Sequence, residues 1–427
     1  MRTNFSETQL SDPRLKAAET ALRACVHCGI CTATCPTYVL LGDELDSPRG
    51  RIQLIQQMLE KDSVPNPKIV THIDRCLSCL ACVSACPSGV NYPRLVDQAR
   101  IHIEAKRARP FLRQWPRDLL GLVLPKRRVL RVLLAAGRLI APLRTLMPGS
   151  LRSMLDAAAK LPKPEVTADL PAALAASGAN ARVALHLGCV QEVVAPQISR
   201  ASLRVLARLN VQAVVVEGDG CCGALNHHLG QEARARRHGS TLCSDIAACE
   251  RNSPIGAVIT TATGCGAVIR DYGFVLGSSD GAITGAKTLD IMDFVSSQRP
   301  LPTTIRKKLR VAYHKPCSLQ HAMKNENAGI GVLRQLGFEV VESPDQACCG
   351  SAGVYNALEP EIAGALQRQK SAALAKLNAD LIVTGNIGCL AQIATAIGTP
   401  VLHPIELVDW ATGGPAPAKL ANLLGVE

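Results

Sequence analysis

The chain has 427 residues, enough for two or three domains that each bury a core without disulfide support, so small size does not explain its 18 cysteines. Such a cysteine-rich chain, without an apolar stretch at its N-terminus, is typical of a reducing, cytoplasmic compartment where thiols serve metal or redox chemistry. The formal net charge is +12, but aromatic residues make up only 3% of the chain, so base stacking has few partners and nucleic-acid binding is not expected.

Residues 1–110 contain two cysteine motifs of identical spacing, each followed by a proline. In each motif three cysteines are separated by two residues, and a fourth cysteine follows after three more. This is the spacing of bacterial two-cluster ferredoxins, in which the fourth cysteine of one motif binds the other cluster. It predicts one [4Fe–4S] cluster bound by Cys25, Cys28, Cys31 and Cys86, and a second bound by Cys76, Cys79, Cys82 and Cys35.

Structural zinc is the alternative interpretation of these motifs, since zinc also favours Cys-x-x-Cys pairs. Zinc sites usually combine two separated pairs, whereas both motifs here match the stricter ferredoxin template, which favours iron–sulfur clusters. His27 and His72 lie near the motifs, but both quartets are already complete. We therefore interpret the two histidines as groups that pack beside the ligands.

Residues 111–181 predict basic amphipathic helices followed by a linker. Between residues 101 and 153 the sequence has twelve Lys or Arg residues and only two acidic residues, and the basic residues alternate with Leu, Val and Ile. Four prolines predict that the helices are short: Pro116, Pro125, Pro142 and Pro148. Residues 161–180, rich in Pro and Ala, predict the linker.

We call residues 106–152 the basic belt. Ordinary packing helices are one interpretation of it. Because no window offers about 18 uninterrupted apolar residues, a membrane-spanning helix is not expected. The pattern instead predicts contact with an anionic membrane surface or with an acidic face of a partner.

Beyond the linker, short β-branched runs alternate with helical stretches, which predicts α/β domains. The cysteine pattern of this part occurs twice, with offsets of 128, 127 and 124 residues, and predicts a duplicated domain at residues 182–300 and 308–427. The repeated cysteines are Cys189, Cys221, Cys222 and Cys265, then Cys317, Cys348, Cys349 and Cys389. The predicted strands are Arg182–Leu187, Val211–Val216, Ala257–Thr260, Arg310–His314, Glu339–Val341 and Leu381–Thr384.

These eight thiols are a candidate additional site, since four thiols in each half suffice for a metal ion or a third cluster. The alternatives are redox-active thiols, or thiols that are simply buried at tight turns. His314 and His321 flank Cys317 and could form a Cys/His nucleophile, but we rank this below a structural role and predict no catalytic residue on the chain.

A flavin or nicotinamide site is poorly supported by the sequence. Residues 218–223 fit Gly-x-Gly-x-x-Gly, but the match overlaps the cysteine pair, and the equivalent turn of the second half loses the first two glycines. The repeated feature is therefore the thiol pair. A hydride acceptor is expected on a partner, because one-electron clusters cannot accept a hydride.

The segment from His27 to Tyr38, continued from Leu41 to Arg51, closely resembles the glycolate oxidase iron–sulfur subunit family. The repeated half resembles the CCG domain shared with heterodisulfide reductase B subunits and with iron–sulfur subunits of anaerobic glycerol-3-phosphate dehydrogenase and lactate oxidation systems. Heterodisulfide reductases end each half with a Cys-x-x-Cys pair. Here each half ends with one cysteine, Cys265 or Cys389, and so has one cysteine fewer than the heterodisulfide reductase pattern.

The resemblance implies a multidomain α+β / α/β fold, with a helical two-[4Fe–4S] ferredoxin-like module followed by a duplicated α/β CCG domain. It implies a hetero-oligomer in which FAD-binding subunits oxidise glycolate to glyoxylate, while this chain passes the electrons toward a membrane quinone at the inner face of the cell membrane. The alternatives are a subunit of a D-lactate or glycerol-3-phosphate dehydrogenase, or a CCG-type disulfide reductase.

Overall fold

The computed structural model describes residues 1–107, 109–140, 173–174, 181–216, 220–251, 253–300, 302–304, 308–345 and 347–424. A helical N-terminal part precedes two largely parallel sheets, which confirms the multidomain α+β / α/β class. Several sequence predictions lie outside the described residues: the prolines at 142 and 148, the basic residues Arg144 and Arg152, most of the predicted linker, and Gly218.

Short helices joined by the cysteine loops form the N-terminal part. Several begin with a proline at their first position, where its fixed φ suits the helix and its missing amide costs no hydrogen bond. Leu22, Ile55, Ile73 and Leu95 are fully buried at its centre. The helices are Glu7–Leu10, Pro13–Ala24, Pro36–Leu41, Pro48–Lys61, Pro67–Asp74, Ala81–Ser84 and Tyr92–Ala105, with 3₁₀ turns at Ile30–Thr32 and Glu44–Asp46.

The described part of the basic belt contains the helices Phe111–Val123 and Arg127–Ile140. Pro125 separates them, as predicted, but the predicted break at Pro116 is wrong because the first helix runs through it. A proline near a helix start removes only the hydrogen bond to the carbonyl four residues earlier. That residue is Leu112, whose side chain is exposed, so water can satisfy the carbonyl.

The first half is built on a five-stranded sheet of order β1-β3-β2-β4-β5. Strand β1 is antiparallel to β3, and the other neighbours are parallel. The strands are β1 (Ala173–Leu174), β2 (Ala181–His186), β3 (Val211–Val215), β4 (Ala257–Thr260) and β5 (Thr288–Asp290). The helices are Gln191–Val194, Gln197–Arg208, Ala224–Leu229, Glu232–Glu250, Thr263–Arg270, Tyr272–Val275, Ser279–Ala286 and Ile291–Ser296.

The second half repeats this arrangement in a parallel sheet of order β7-β6-β8-β9, equivalent to β3-β2-β4-β5. The common strand order supports the duplication predicted from the cysteines. The strands are β6 (Arg310–His314), β7 (Glu339–Glu342), β8 (Leu381–Thr384) and β9 (Val401–Leu402). The helices are Ala328–Gln335, Tyr355–Leu358, Pro360–Ala375, Ile387–Ala394, Pro404–Ala411 and Ala418–Leu424, with a π-helical turn at Ser318–Met323.

Both sheets contribute to one hydrophobic core. Leu185 of β2 and Ile259 of β4 belong to the same cluster of buried side chains as Val311 of β6 and Leu381 of β8. At the edge of this core the buried Asp409 accepts hydrogen bonds from two arginines of the helix Gln197–Arg208, with Arg208 Nη1 at 2.8 Å. The two halves are therefore packed as one body.

The N-terminal part is docked on both halves through specific polar contacts. Arg94 donates two hydrogen bonds to the carboxylate of Asp271 in the first half, at 2.5 and 2.6 Å. In the second half the Tyr355 hydroxyl donates to the carbonyl of Arg75 at 2.9 Å. These contacts hold the cysteine loops against the two sheets.

Candidate metal centres

A first cavity, of about 440 Å³ including space open to solvent, is lined by Cys25, Cys28, Cys31 and Cys86. Cys25 is buried at the end of the helix Pro13–Ala24, whereas Cys28 is exposed. Between Cys28 and Cys31 the chain reverses at Gly29, whose φ of +83° favours glycine. The cavity thus combines three cysteines of the first motif with the fourth cysteine of the second.

A second cavity, of about 330 Å³ including open space, is lined by Cys35, Cys76, Cys79 and Cys82. Cys35 belongs to the first motif and reaches this cavity from the start of the helix Pro36–Leu41. Left-handed backbone at Ser78 and Leu80 wraps the second motif around the opening. Each cavity is thus lined by four cysteines that the sequence predicts as one quartet, and Cys82 lines both cavities.

The second cavity has a buried cation at its wall. Arg51 is 1% exposed and directs Nη1 at Cys35 Sγ over 3.7 Å. Its Nη2 donates to Asp46 Oδ1 at 3.1 Å, and its Nε donates to the carbonyl of His72 at 2.7 Å. Burial lowers the pKa of Arg51, but the charges of Cys76, Tyr92, Cys35 and Asp46 together raise it above the usual value, so this cation is permanent.

In the second cavity, burial favours the neutral form of two thiols, Cys79 and Cys82. Burial raises the pKa of Cys79 and of Cys82 well above the ordinary thiol value. Bound metal ions reverse this, because a coordinating thiol is deprotonated outright. Four sulfur donors around one cavity of this size fit an iron–sulfur cluster, and the same donor set lines the first cavity.

The first half brings four thiols together at the carboxyl ends of its strands. Cys189 follows β2, Cys221 and Cys222 follow β3, and Cys265 lies in the helix after β4. A hydrogen bond with Cys221, the largest influence, lowers the pKa of Cys189, and Arg127 lowers it further. Cys222 is likewise hydrogen-bonded to Cys265, which raises the pKa of Cys222.

The second half gathers its four thiols in the same way. Cys349 Sγ lies 3.2 Å from Cys389 Sγ, and Cys317 is hydrogen-bonded to Cys348. Cys317 and Cys348 belong to the same apolar cluster as Cys79 of the second ferredoxin-type motif. The thiols of the second half therefore lie beside the second cavity.

The two histidines that flank Cys317 make contacts elsewhere. His314 Nδ1 is 2.9 Å from Thr384 Oγ1, and His321 Nδ1 is 2.8 Å from Ser84 Oγ in the N-terminal part. Among the described residues no hydrogen bond joins either ring to Cys317. These contacts support the structural role ranked first from the sequence.

Sequence reasoning missed the polar groups that surround the second cavity. Arg51, Asp46 and Tyr92 received no role, although the Tyr92 hydroxyl lies 3.8 Å from Cys76 Sγ and Asp46 is completely buried. Arg51 and Asp46 lie within the segment that carries the family resemblance. An arginine and an aspartate in a polar segment give no sequence signal that they are buried.

Comparisons with known proteins agree with this geometry. Residues 21–90 match the 4Fe-4S dicluster domain family, and residues 183–270 and 311–394 match the CCG cysteine-rich domain family. Over 96% of its length the chain is 39% identical to the glycolate oxidase iron-sulfur subunit of Escherichia coli (strain K12), of which it covers 99%. The chain belongs to the glycolate oxidase iron–sulfur subunit family.

Two further relatives are similar to this chain over different shares of its length. The probable glycolate oxidase iron-sulfur subunit of Bacillus subtilis (strain 168) is 31% identical over 89% of this chain and 90% of its own length. Lactate utilization protein A of Oceanobacillus iheyensis is 25% identical over 54% of this chain and 96% of its own length. The second match is shorter and more distant.

Membership of the glycolate oxidase iron–sulfur subunit family, together with the dicluster domain, makes this chain an iron–sulfur electron-transfer protein with [4Fe–4S] clusters. It is a subunit of an oxidoreductase and functions in a hetero-oligomer. In the part of the chain that the structure describes, none of the helices has the length and apolar character needed to cross a membrane.

Proposed function

We propose that this chain transfers electrons within a complex that oxidises glycolate to glyoxylate on FAD-binding partner subunits, and that the electrons continue toward a membrane quinone. The observation that carries the proposal is the pair of cysteine-lined cavities in a chain 39% identical, over nearly its whole length, to a glycolate oxidase iron-sulfur subunit. The hydride acceptor is proposed on another subunit, because one-electron clusters cannot accept a hydride.

Under this proposal, Cys25, Cys28, Cys31 and Cys86 hold one cluster, and Cys76, Cys79, Cys82 and Cys35 hold the other. When bound, the two clusters supply one-electron transfer. The exposed Cys28 leaves the first site open to solvent, where a redox partner can approach. The buried Cys35 and Cys76 shield the second site from water, and Arg51 stabilises negative charge there.

The test is anaerobic co-purification of this chain with its partner subunits, followed by reduction with each candidate substrate. We expect FAD in the purified complex and reduction of the iron–sulfur signals by glycolate, but no disulfide reduction by the isolated chain. FAD-free chain that alone reduces a disulfide would assign it to the disulfide reductases.

A second candidate is an iron–sulfur subunit for lactate oxidation, favoured by the similarity to a lactate utilization protein. The same preparation distinguishes it: D-lactate or glycerol 3-phosphate would reduce the iron–sulfur signals while glycolate would not. Substrate contacts belong to the flavin subunit, so exchanging the partner subunit should change this outcome, whereas changing cysteines of this chain should not.

The thiols of the two halves are proposed as an additional metal site. Each half brings four sulfur atoms together, the number that a tetrahedral metal ion or a cluster requires. Analysis of iron, zinc and labile sulfide tests this: more than eight iron atoms per chain would indicate a third cluster, and zinc that is lost in Cys189→Ser or Cys317→Ser would indicate a zinc site at the thiols. Eight iron atoms and no zinc dependent on these cysteines would leave only redox-active or buried thiols.

The second belt helix, Arg127–Ile140, supports peripheral contact with the inner face of the cell membrane. Leu130 and Leu134 face the core of the two halves. On the opposite side Val129, Val132 and Leu133 are 39%, 66% and 46% exposed. One apolar face of this helix is buried in the protein, and the other is exposed and could insert into the surface of a lipid bilayer.

Exposed basic residues flank this exposed apolar face: Lys126, Arg128 and Arg131. Each contributes about 1 kcal/mol near an anionic membrane surface. Arg127 differs, because its Nη2 donates a hydrogen bond to the carbonyl of Leu187 at 2.7 Å. A test of membrane contact should therefore leave Arg127 in place.

Neutralising the three exposed residues to Gln should release the complex from anionic vesicles in sedimentation while glycolate still reduces the flavin. The matched control neutralises three exposed lysines outside the belt, Lys68, Lys324 and Lys376, and should leave sedimentation unchanged. Equal sedimentation of both variants would contradict membrane contact, and loss of the flavin subunits would assign the belt to partner docking.

A further inference from the structure

Three potential metal ligands meet where the N-terminal part contacts the first half. Asp97 lies on the helix Tyr92–Ala105, and His227 and His228 lie on the helix Ala224–Leu229, just after the Cys221–Cys222 pair. His227 Nε2 is 3.0 Å from Asp97 Oδ2, and His228 Nδ1 is 3.9 Å from Asp97 Oδ1. One ligand atom from each of the three residues lies within 4.8 Å of the other two.

These distances suit a shared metal ion. Two ligand atoms bound tetrahedrally at about 2.1 Å from one ion are about 3.4 Å apart, and the observed 3.0 and 3.9 Å lie on either side of that value. Two imidazoles and one carboxylate are a common donor set for divalent transition metals. Bound solvent would complete the coordination.

The two histidines meet Asp97 at different distances. His227 Nε2 is near enough to Asp97 Oδ2 to form a hydrogen bond, whereas the buried His228 Nδ1 faces Asp97 Oδ1 at 3.9 Å, too far for one, and makes no other hydrogen bond among the described residues. The His228 side chain as a whole is 43% exposed, so the site lies at the surface of the protein. A buried nitrogen directed at a carboxylate near the protein surface is what a third ligand requires.

The backbone holds the two helices at this separation. Gly230 follows the histidine helix with φ +82°, and a Cβ there would lie 2.4 Å from the carbonyl oxygen of Arg100. Arg100 carries a positive charge near the site, and its guanidinium is held toward the second motif by hydrogen bonds to the carbonyl of Cys76 at 2.5 Å and to Ser78 Oγ at 2.6 Å. The ligands are thus fixed on rigid elements.

We propose that Asp97, His227 and His228 bind a divalent transition-metal ion, of which Zn²⁺ is representative, and that this ion joins the N-terminal part to the first half. The site shares no ligand with either cysteine-lined cavity. Its role is structural, because a metal ion with ligands on two segments holds those segments together. It does not depend on the proposed substrate.

The test adds Co²⁺ to the anaerobically purified, chelator-washed complex with its clusters intact. Cobalt bound by nitrogen and oxygen shows visible d–d bands without the thiolate charge-transfer bands of cysteine sites. We expect one such equivalent per chain, displaced by Zn²⁺, in the wild-type complex. His228→Ala should lose it, or bind it more than about tenfold more weakly, with iron content unchanged.

His227→Gln is a second variant that preserves side-chain bulk and should also lose the equivalent. The matched control is His102→Ala, since His102 lies 3.7 Å from Asp62, a carboxylate that Lys106 rather than a second histidine also contacts, and should not affect cobalt binding. A wild-type complex without thiolate-free cobalt bands would overturn the proposal. So would full cobalt binding by both histidine variants.

Discussion

Replacing Arg51 with Gln should lower the reduction potential of the cluster proposed at Cys35, Cys76, Cys79 and Cys82. The Arg51 guanidinium is buried and lies 3.7 Å from Cys35 Sγ. A fixed positive charge favours the reduced form of a neighbouring cluster, because reduction adds one electron. Glutamine removes that charge while retaining hydrogen-bonding groups.

The magnitude follows from this contact. Adding a metal–sulfur bond of about 2.3 Å to the 3.7 Å contact places the charge about 6 Å from the nearest iron. At an effective dielectric constant of about 20, two unit charges at that distance interact by about 3 kcal/mol. A tenfold change in a one-electron equilibrium corresponds to about 59 mV, so this interaction energy corresponds to a shift of about 120 mV in the reduction potential. Solvent that enters the space left by the guanidinium would reduce the shift to about 60 mV.

An EPR-monitored redox titration measures the shift, and Arg75→Gln is the matched control. Arg75 Nη1 lies 3.0 Å from Asp46 Oδ2, so both variants remove one cation from Asp46. Arg75 has no hydrogen bond to a cysteine sulfur among the described residues, so its variant should shift the potential much less. Equal shifts in the two variants, or a shift confined to the other cluster, would refute the reasoning.

Three further outcomes are expected. Cys35→Ser should diminish the EPR signal of the second cluster, and loss of the first cluster alone would contradict the exchanged ligands. Burial lowers the pKa of His403 to about 3 in the folded protein, whereas the histidine of the unfolded chain titrates at about pH 6.5. Between these two values the unfolded chain binds a proton that the folded protein does not, so each pH unit of acidification should lower the free energy of unfolding by up to about 1.4 kcal/mol. His403→Asn removes the titrating group but keeps an acceptor for the Ile405 amide. The urea midpoint of this variant should therefore fall less between pH 7.5 and pH 5.5 than that of the wild type, and equal falls would contradict the assignment to His403. Gly223→Ala should destabilise the protein by about 1–3 kcal/mol, because φ is +73° and a Cβ would lie 2.6 Å from the carbonyl oxygen of Ala235. The control Gly331→Ala places its Cβ in open space and should leave the free energy of unfolding unchanged in the same denaturation assay.

The sequence predicted those parts of the fold that depend on local spacing. Cysteines two residues apart must lie on one loop, so the dicluster domain over residues 21–90 could be predicted from the spacing alone, whereas the grouping of the cysteines into two quartets stays a prediction. Strands β4, β6 and β8 have the predicted bounds, because consecutive residues of each strand are buried on both faces, apart from Arg310 at the start of β6. Strands β5 and β9 were not predicted, since segments of three and two residues are too short to show a pattern.

Contacts between distant parts of the chain could not be predicted in this way. Asp97 and His227 are 130 residues apart, and nothing in either segment indicates that they meet. The proximity of Cys79 to Cys317 likewise depends on how the N-terminal part docks. Pro116 misled the prediction because the cost of a helical proline depends on whether solvent reaches one carbonyl, which its own neighbours in sequence do not reveal.

The hydrophobic core common to the two halves makes each half incomplete without the other. Leu185 and Val311 are both fully buried within it, and either sheet expressed alone would present such side chains to water. A truncated chain that ends after β5 should therefore aggregate rather than fold as a smaller domain. Although each copy of the repeat carries its own thiols, the two copies share one buried core, so we expect them to unfold together rather than as two independent domains.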